Sequence, residues 1–173
     1  MDIVKMANKR WLAAYVKMHH EKKVRDRLAS MKIEHFLPVQ EEVRQWSDRR
    51  KKVERVLIPM MIFVKVDPAE QREVIELPSI LRYLVLRGER VPAEIPADQM
   101  ERFRFMVDYS DSPVQFDTSD LQPGEKVRVI KGTLQGLEGE FVTVNGKSSI
   151  AIRIQQLGCA TVEVSSSMIE KIK

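Results

Sequence analysis

His19, His20 and Glu21 are the residues of this 173-residue chain whose types and spacing come nearest to metal chemistry. A zinc-binding helix of the H-E-x-x-H kind sets two imidazoles four residues apart, with the glutamate as general base. Counting from His20, the second imidazole would have to stand at position 24, where the chain has Val24. His35 is the only other histidine, so no ligand set can be completed and no metal is expected. Nucleophilic chemistry fares no better. Cys159 is the single cysteine and sits in the apolar run LGCATVEV, the setting of a core filler. With no second cysteine there is no internal disulfide, which fits a reducing compartment. Neither a nucleophile elbow nor a phosphate loop is present, because the glycines near the C-terminus lack the G-K-[ST] ending. The chain is expected to act by binding rather than catalysis, without a cofactor.

Positive charge offers a different chemistry. Arg44, Arg49, Arg50, Lys51, Lys52 and Arg55 fall within a dozen residues, with Trp46 among them and Asp48 and Glu54 diluting the charge. Guanidinium and ammonium groups attract backbone phosphates regardless of sequence, and an exposed indole stacks on an unpaired base. Arg49, Arg50, Lys51 and Lys52 are the expected phosphate contacts, and a solvated hairpin tip is the alternative reading of the same residues. His19, His20, Lys22 and Lys23, at the start of a helix, form a second set of possible DNA contacts or a plain polar helix start. The whole chain is only mildly basic, +4 from 29 basic and 25 acidic side chains. That balance permits a nucleic-acid partner without requiring one.

The elements that must position these residues follow from hydrophobic period. Trp11 to Lys17 reads as a strand. Val24, Leu28 and Met31 recur at i, i+4 and i+7 and predict a helix. Phe36, Leu37 and Val39 predict a second strand. Val53 to Val66, apolar on both faces through LIPMMIFV, predicts a third at the centre of a sheet. Asp67, Pro68 and Glu70 form a helix start, with cap, first-turn proline and capping-box acid in register. Ile80 to Leu86 reads as a fourth strand, Gly88 as a turn, and Pro96 to Val107 as a last helix. The expected order is βαββαβα over residues 1–108. Residues 109–122 lack periodicity and carry Ser, Asp, Thr and Pro, the composition of a linker. The longest apolar run, Val56 to Val64, contains a proline and is too short to span a bilayer. A soluble, cytoplasmic protein is expected.

Residues 123–173 open with four of the seven glycines, Gly124, Gly132, Gly136 and Gly139, in PGEKVRVIKGTLQGLEGEFVTV. Val127, Val129 and Ile130 make a strand that Gly132 breaks. Gly136 and Gly139 are expected to supply φ > 0 before Phe141 to Val144 resume the strand. Asn145-Gly146 is a type I′ hairpin signal, and Ile150, Ile152 and Ile154 alternate along the next strand. This segment resembles the KOW motif, which implies a small SH3-like β-barrel near RNA or ribonucleoprotein machinery.

The preceding part resembles the NGN domain of NusG-type factors. Trp11-Leu12 matches a family strand that begins with Trp and an aromatic, and Leu37-Pro38-Val39-Gln40-Glu41-Glu42 matches a Val-Pro-x-Glu-Glu-like stretch. A basic hairpin then leads into Ile58-Pro59-Met60-Met61-Ile62-Phe63-Val64, where the family has Phe-Pro-Gly-Tyr-Val-x-Val. Met60 replaces the Gly, Met61 the aromatic and Leu12 the second residue of Trp-Tyr. These departures suggest a specialised paralogue, similar to the UpxY-type antiterminators linked to capsular-polysaccharide operons.

The resemblance implies an α+β fold, with an antiparallel NGN sheet followed by an all-β KOW barrel. It also implies a transcription elongation and antitermination factor that binds RNA polymerase. Trp11, Ile58, Pro59, Met60 and Met61 would contact the clamp helices of the largest polymerase subunit, although Trp11, Pro59, Met61 and Phe63 also read as plain sheet core. Nontemplate DNA or nascent RNA would meet the basic side chains. The KOW barrel would take a ribosomal protein or a termination factor. A KOW-type RNA-binding accessory protein of the ribosome is the alternative.

Overall fold

Pro59 and Met60 interrupt the apolar run from Val53 to Val66, so the strand expected there is two strands in two different sheets. Proline has no N–H to give a ladder, and Met60 takes the left-handed conformation at φ 63°. The computed structural model describes residues 8–119 and 121–172. In chain order they form β1 (Arg10–Val16), α1 (Glu21–Ser30), β2 (Glu34–Phe36), β3 (Val39–Gln45), β4 (Arg50–Val56), β5 (Met61–Val66), α2 (Pro68–Ile75) and β6 (Ile80–Tyr83). There follow α3 (Ala97–Tyr109), β7 (Gln115–Asp117), β8 (Glu125–Val129), β9 (Glu138–Val144), β10 (Lys147–Ile154), β11 (Gly158–Glu163) and β12 (Ile169–Lys171). No described helix is long and apolar enough to cross a membrane.

The chain groups into two compact units that do not follow chain order, one of Met1–Pro38 with Ile58–Ala97 and one of Val39–Leu57 with Asp98–Lys173. The first is built on an antiparallel sheet of order β2-β5-β1-β6. Its two central strands are buried on both faces, as the unbroken apolar runs WLAAYV and MIFV require. Phe36 and Phe63, partners across β2 and β5, stack with ring centroids 6.4 Å apart. In α1 the buried positions are Glu21, Val24 and Leu28. The start of α2 follows the local signal closely. Asp67 accepts the Glu70 N–H at 2.8 Å, Glu70 accepts the Asp67 N–H at 3.2 Å, and Pro68 occupies the first turn. The strand expected to reach Leu86 stops at Tyr83.

The second unit contains the β3–β4 hairpin, α3 and an antiparallel sheet of order β12-β8-β9-β10-β11-β7. Ile150, Ile152 and Ile154 are buried along β10 beside Ala151, and Cys159 is a buried thiol packed with Val142 and Ala151. Asn145 and Gly146 both have φ > 0, at 52° and 76°, and join β9 to β10 as a two-residue turn. Gly136 is left-handed as expected, at φ 95°, but Gly139 is not. The need for glycine at 139 is close approach: a Cβ there would lie 2.7 Å from the Ala151 carbonyl oxygen. Within 109–122, the stretch expected as a linker, α3 runs on to Tyr109 and Gln115–Asp117 form β7 against β11.

Candidate functional site

In the first unit, Ile58, Pro59 and Met60 deliver the chain into β5. Pro59 is exposed and Met60 half-exposed, while Ile58, Met61 and Trp11 are only 8%, 5% and 4% exposed. The register places Trp11 opposite Lys65 and Tyr15 opposite Met61. Trp11 and Met61 therefore share one face of the sheet but lie four residue steps apart, about 13 Å along the strands. Trp11 is held at its end by Ile95, whose N–H it accepts at 2.9 Å. Of the five residues expected to form a contact patch, the ones that reach solvent are Pro59 and Met60.

Met60 is fixed from both sides. Its carbonyl accepts the Val16 N–H at 2.9 Å, and its own N–H donates to Glu21 Oε1 at 2.9 Å. Glu21 is 6% exposed and sits in the first turn of α1, where a carboxylate is also favoured by the helix dipole. Inspection of the His19-His20-Glu21 triplet directs attention to metal binding and misses this role. Among the described residues no group of three His, Cys, Asp or Glu could hold a metal.

The other helix-start residues separate. His19 is exposed in the left-handed region at φ 65°, and His20 occupies the N-cap position of α1 without capping it through its side chain. Instead the His20 Nδ1 lies 2.9 Å from Ser79 Oγ. Lys22 is half-buried. Lys23 lines an open groove of about 460 Å³ with Val24, Asp26, Arg27, Leu77, Pro78 and Ser79.

The basic hairpin belongs to the second unit. Trp46 to Arg49 form its four-residue tip, closed by the Trp46 N–H donating to the Arg49 carbonyl at 2.7 Å. Trp46 is 50% exposed, with the Lys51 ammonium 5.7 Å from its ring centroid. Register divides the charges between the two faces. Arg50 and Lys52 share one with Val43, while Arg44, Lys51 and Arg55 share the other with Glu42. Glu41 and Glu54 balance Arg50 and Lys52 on the first face, whereas the second keeps a positive excess: Glu42, 2.7 Å from Arg44 and 3.4 Å from Arg55, offsets only part of its charge. Arg49, Arg50, Lys51 and Lys52 are all exposed, so an extended polyanion has access to each.

The NusG family model, described as transcription termination factor nusG, matches residues 9–104. This chain belongs to the NusG family. Among solved structures it is similar to Thermotoga maritima NusG, described for its domain interaction, at a TM-score of 0.53 and 16% identity over 97% of this chain and 99% of that one. It also matches two conformations of an MjSpt4:Spt5 complex at 12% identity, covering 94% of this chain and 97% or 96% of the other, with TM-scores of 0.31 and 0.32. No curated protein matches.

Met60 takes a left-handed backbone conformation of the kind that glycine adopts without penalty. A side chain at φ 63° costs on the order of 1–2 kcal/mol, and the paired hydrogen bonds to Glu21 and Val16 hold Met60 there.

Proposed function

We propose that this NusG-family chain is a transcription elongation and antitermination factor that works in the cytoplasm on RNA polymerase. Residues 1–108 would bind the clamp helices of the largest polymerase subunit and bridge its cleft. The mechanism is occupancy without chemistry: tighter binding to the closed clamp than to the open, paused one shifts the population toward processive elongation. The observation that carries this reading is the Ile58-Pro59-Met60-Met61 loop. It stands where the family has Phe-Pro-Gly-Tyr, its backbone is pinned at Met60, and Pro59 and Met60 are presented to solvent. Exposed Arg49 to Lys52 and the Trp46 ring favour contact with nontemplate DNA or nascent RNA. Residues 123–173 would recruit a ribosomal protein or a termination factor. The departures at Leu12, Met60 and Met61 favour service on selected operons, as in the UpxY-type antiterminators of polysaccharide loci.

Capture of core RNA polymerase by the tagged chain tests the reading. Pro59→Glu with Met60→Glu is expected to lose capture while far-UV circular dichroism stays native. Retained capture removes this loop from the contact, and co-sedimentation with ribosomal subunits in place of polymerase overturns the assignment. Met61→Glu is the poorer variant, because a charge at a 5% exposed strand position unfolds the sheet.

A further inference from the structure

Gln40 and Arg55 stand directly opposite each other in the β3–β4 register, so their side chains leave the same face of the hairpin. Both close on the segment that follows α3. The Gln40 amide accepts the Val114 N–H on Oε1 at 2.6 Å and donates from Nε2 to the Ser112 carbonyl at 3.2 Å. A side chain that holds the C=O of one residue and the N–H of the second residue along offers what a neighbouring strand would offer. Arg55 completes the arrangement, donating from Nη2 to the Val114 carbonyl at 2.8 Å and to Gln40 Oε1 at 3.3 Å. Glu42 balances its charge at 3.4 Å. The gripped segment is itself shaped, since Ser110 Oγ donates to the Ser112 carbonyl at 2.7 Å and accepts the Ser112 N–H at 3.2 Å. Val114 is fully buried, and β7 begins at the next residue and pairs with β11.

We propose that Gln40 and Arg55 form a clasp that makes the basic hairpin and the six-stranded sheet one mechanical body, with residues 110–114 as a strap rather than a free tether. The physical ground is satisfaction of buried backbone. Both the N–H and the C=O of Val114 find their partners on the hairpin, so releasing the hairpin strips a buried residue of both bonds. Gln40 and Arg55 are positioning residues: they hold the side chains of Arg49 to Lys52 at a set orientation to β7 and β11. A partner that grips the sheet thereby also fixes the hairpin. That last consequence rests on the nucleic-acid reading of the hairpin, whereas the clasp does not, and its test needs no nucleic acid.

Backbone amide relaxation and hydrogen exchange on the full chain test it. In the wild type, the amides of Val43 and Lys52 are expected to report the same rotational correlation time as those of Ile150 and Val162, with slow exchange at Val114. Gln40→Ala combined with Arg55→Ala is expected to shorten the hairpin's correlation time and to speed Val114 exchange about tenfold or more. The β10–β11 cross-peaks should stay in place. Gln40→Glu, which keeps an acceptor for the Val114 N–H, should retain most of the protection at Val114. A hairpin that already tumbles independently in the wild type overturns the clasp. So does a double variant with unchanged hairpin relaxation and Val114 exchange. If the double variant loses its β10–β11 cross-peaks, Gln40→Ala alone, which removes the acceptor of the Val114 N–H, is read by the same Val114 exchange, and wild-type protection there overturns the proposal.

Discussion

Glu21 and Met60 are joined by one hydrogen bond, from the Met60 N–H to Glu21 Oε1 at 2.9 Å, across 39 residues of chain. It ties the first turn of α1 to the turn that opens β5, at the one residue of that turn in the left-handed region. Glu21→Ala is expected to leave that N–H without its partner and to lower stability by about 1–3 kcal/mol in urea unfolding. Glu21→Gln should recover much of the loss, because its amide oxygen still accepts. Equal losses in the two variants would show that something other than this bond sets the effect.

Asp67 supplies a pH dependence. The hydrogen bond from the Glu70 N–H, together with the Glu70 side chain and the Ala69 N–H, holds its carboxyl below the ordinary value of 3.8. A depressed folded pKa means that the stabilisation is complete above the unfolded value and is lost as pH falls through the folded one. Asp67→Ala is expected to cost about 1 kcal/mol at neutral pH and progressively less below pH 4. Thermal melts of both proteins from pH 7 to pH 2.5 should therefore converge at the acid end; a constant gap across that range would contradict the cap's ionic contribution.

Salt dependence reads the hairpin. If Arg49 and Lys52 contact phosphates, replacing both by Ala should weaken binding similarly across sequences and reduce the slope of log affinity against log salt by about one unit per lost contact. Trp46→Ala should lower affinity for single strands more than for duplex, because only unpaired bases stack. An unaltered slope in the double variant would make the hairpin a bystander.

Two glycines of the C-terminal sheet separate crowding from backbone strain. At Gly139 an added Cβ meets the Ala151 carbonyl oxygen at 2.7 Å and Ile150 Cγ1 at 2.9 Å, both in the sheet interior. At Gly146 it meets nothing within 4 Å, but φ is 76°. Gly146→Ala should cost about 1–2 kcal/mol of left-handed strain, whereas Gly139→Ala should cost as much or more and shift the amide resonances of Ala151 and Ile152. A silent Gly139→Ala would mean that β9 and β10 move apart without penalty.

Features set by a few neighbouring residues were legible in the sequence. The Asp67 to Glu70 capping box, the Asn145-Gly146 turn and the period-two isoleucines of β10 each rest on the sterics or hydrogen bonds of one short segment, and each stands where the residues predict. The tertiary structure decided what residues far apart in the chain do to one another. An apolar run cannot announce that it changes sheets at Pro59, because the change lies in the partners taken, β3 for β4 and β1 with β2 for β5. Nor does any local pattern reveal that Glu21 serves Met60, that Gly139 is needed to let Ala151 approach, or that Gln40 grips Ser112 across 72 residues. Those contacts depend on register and topology, and the free energy that selects them is shared over the whole packed unit rather than written in any one segment.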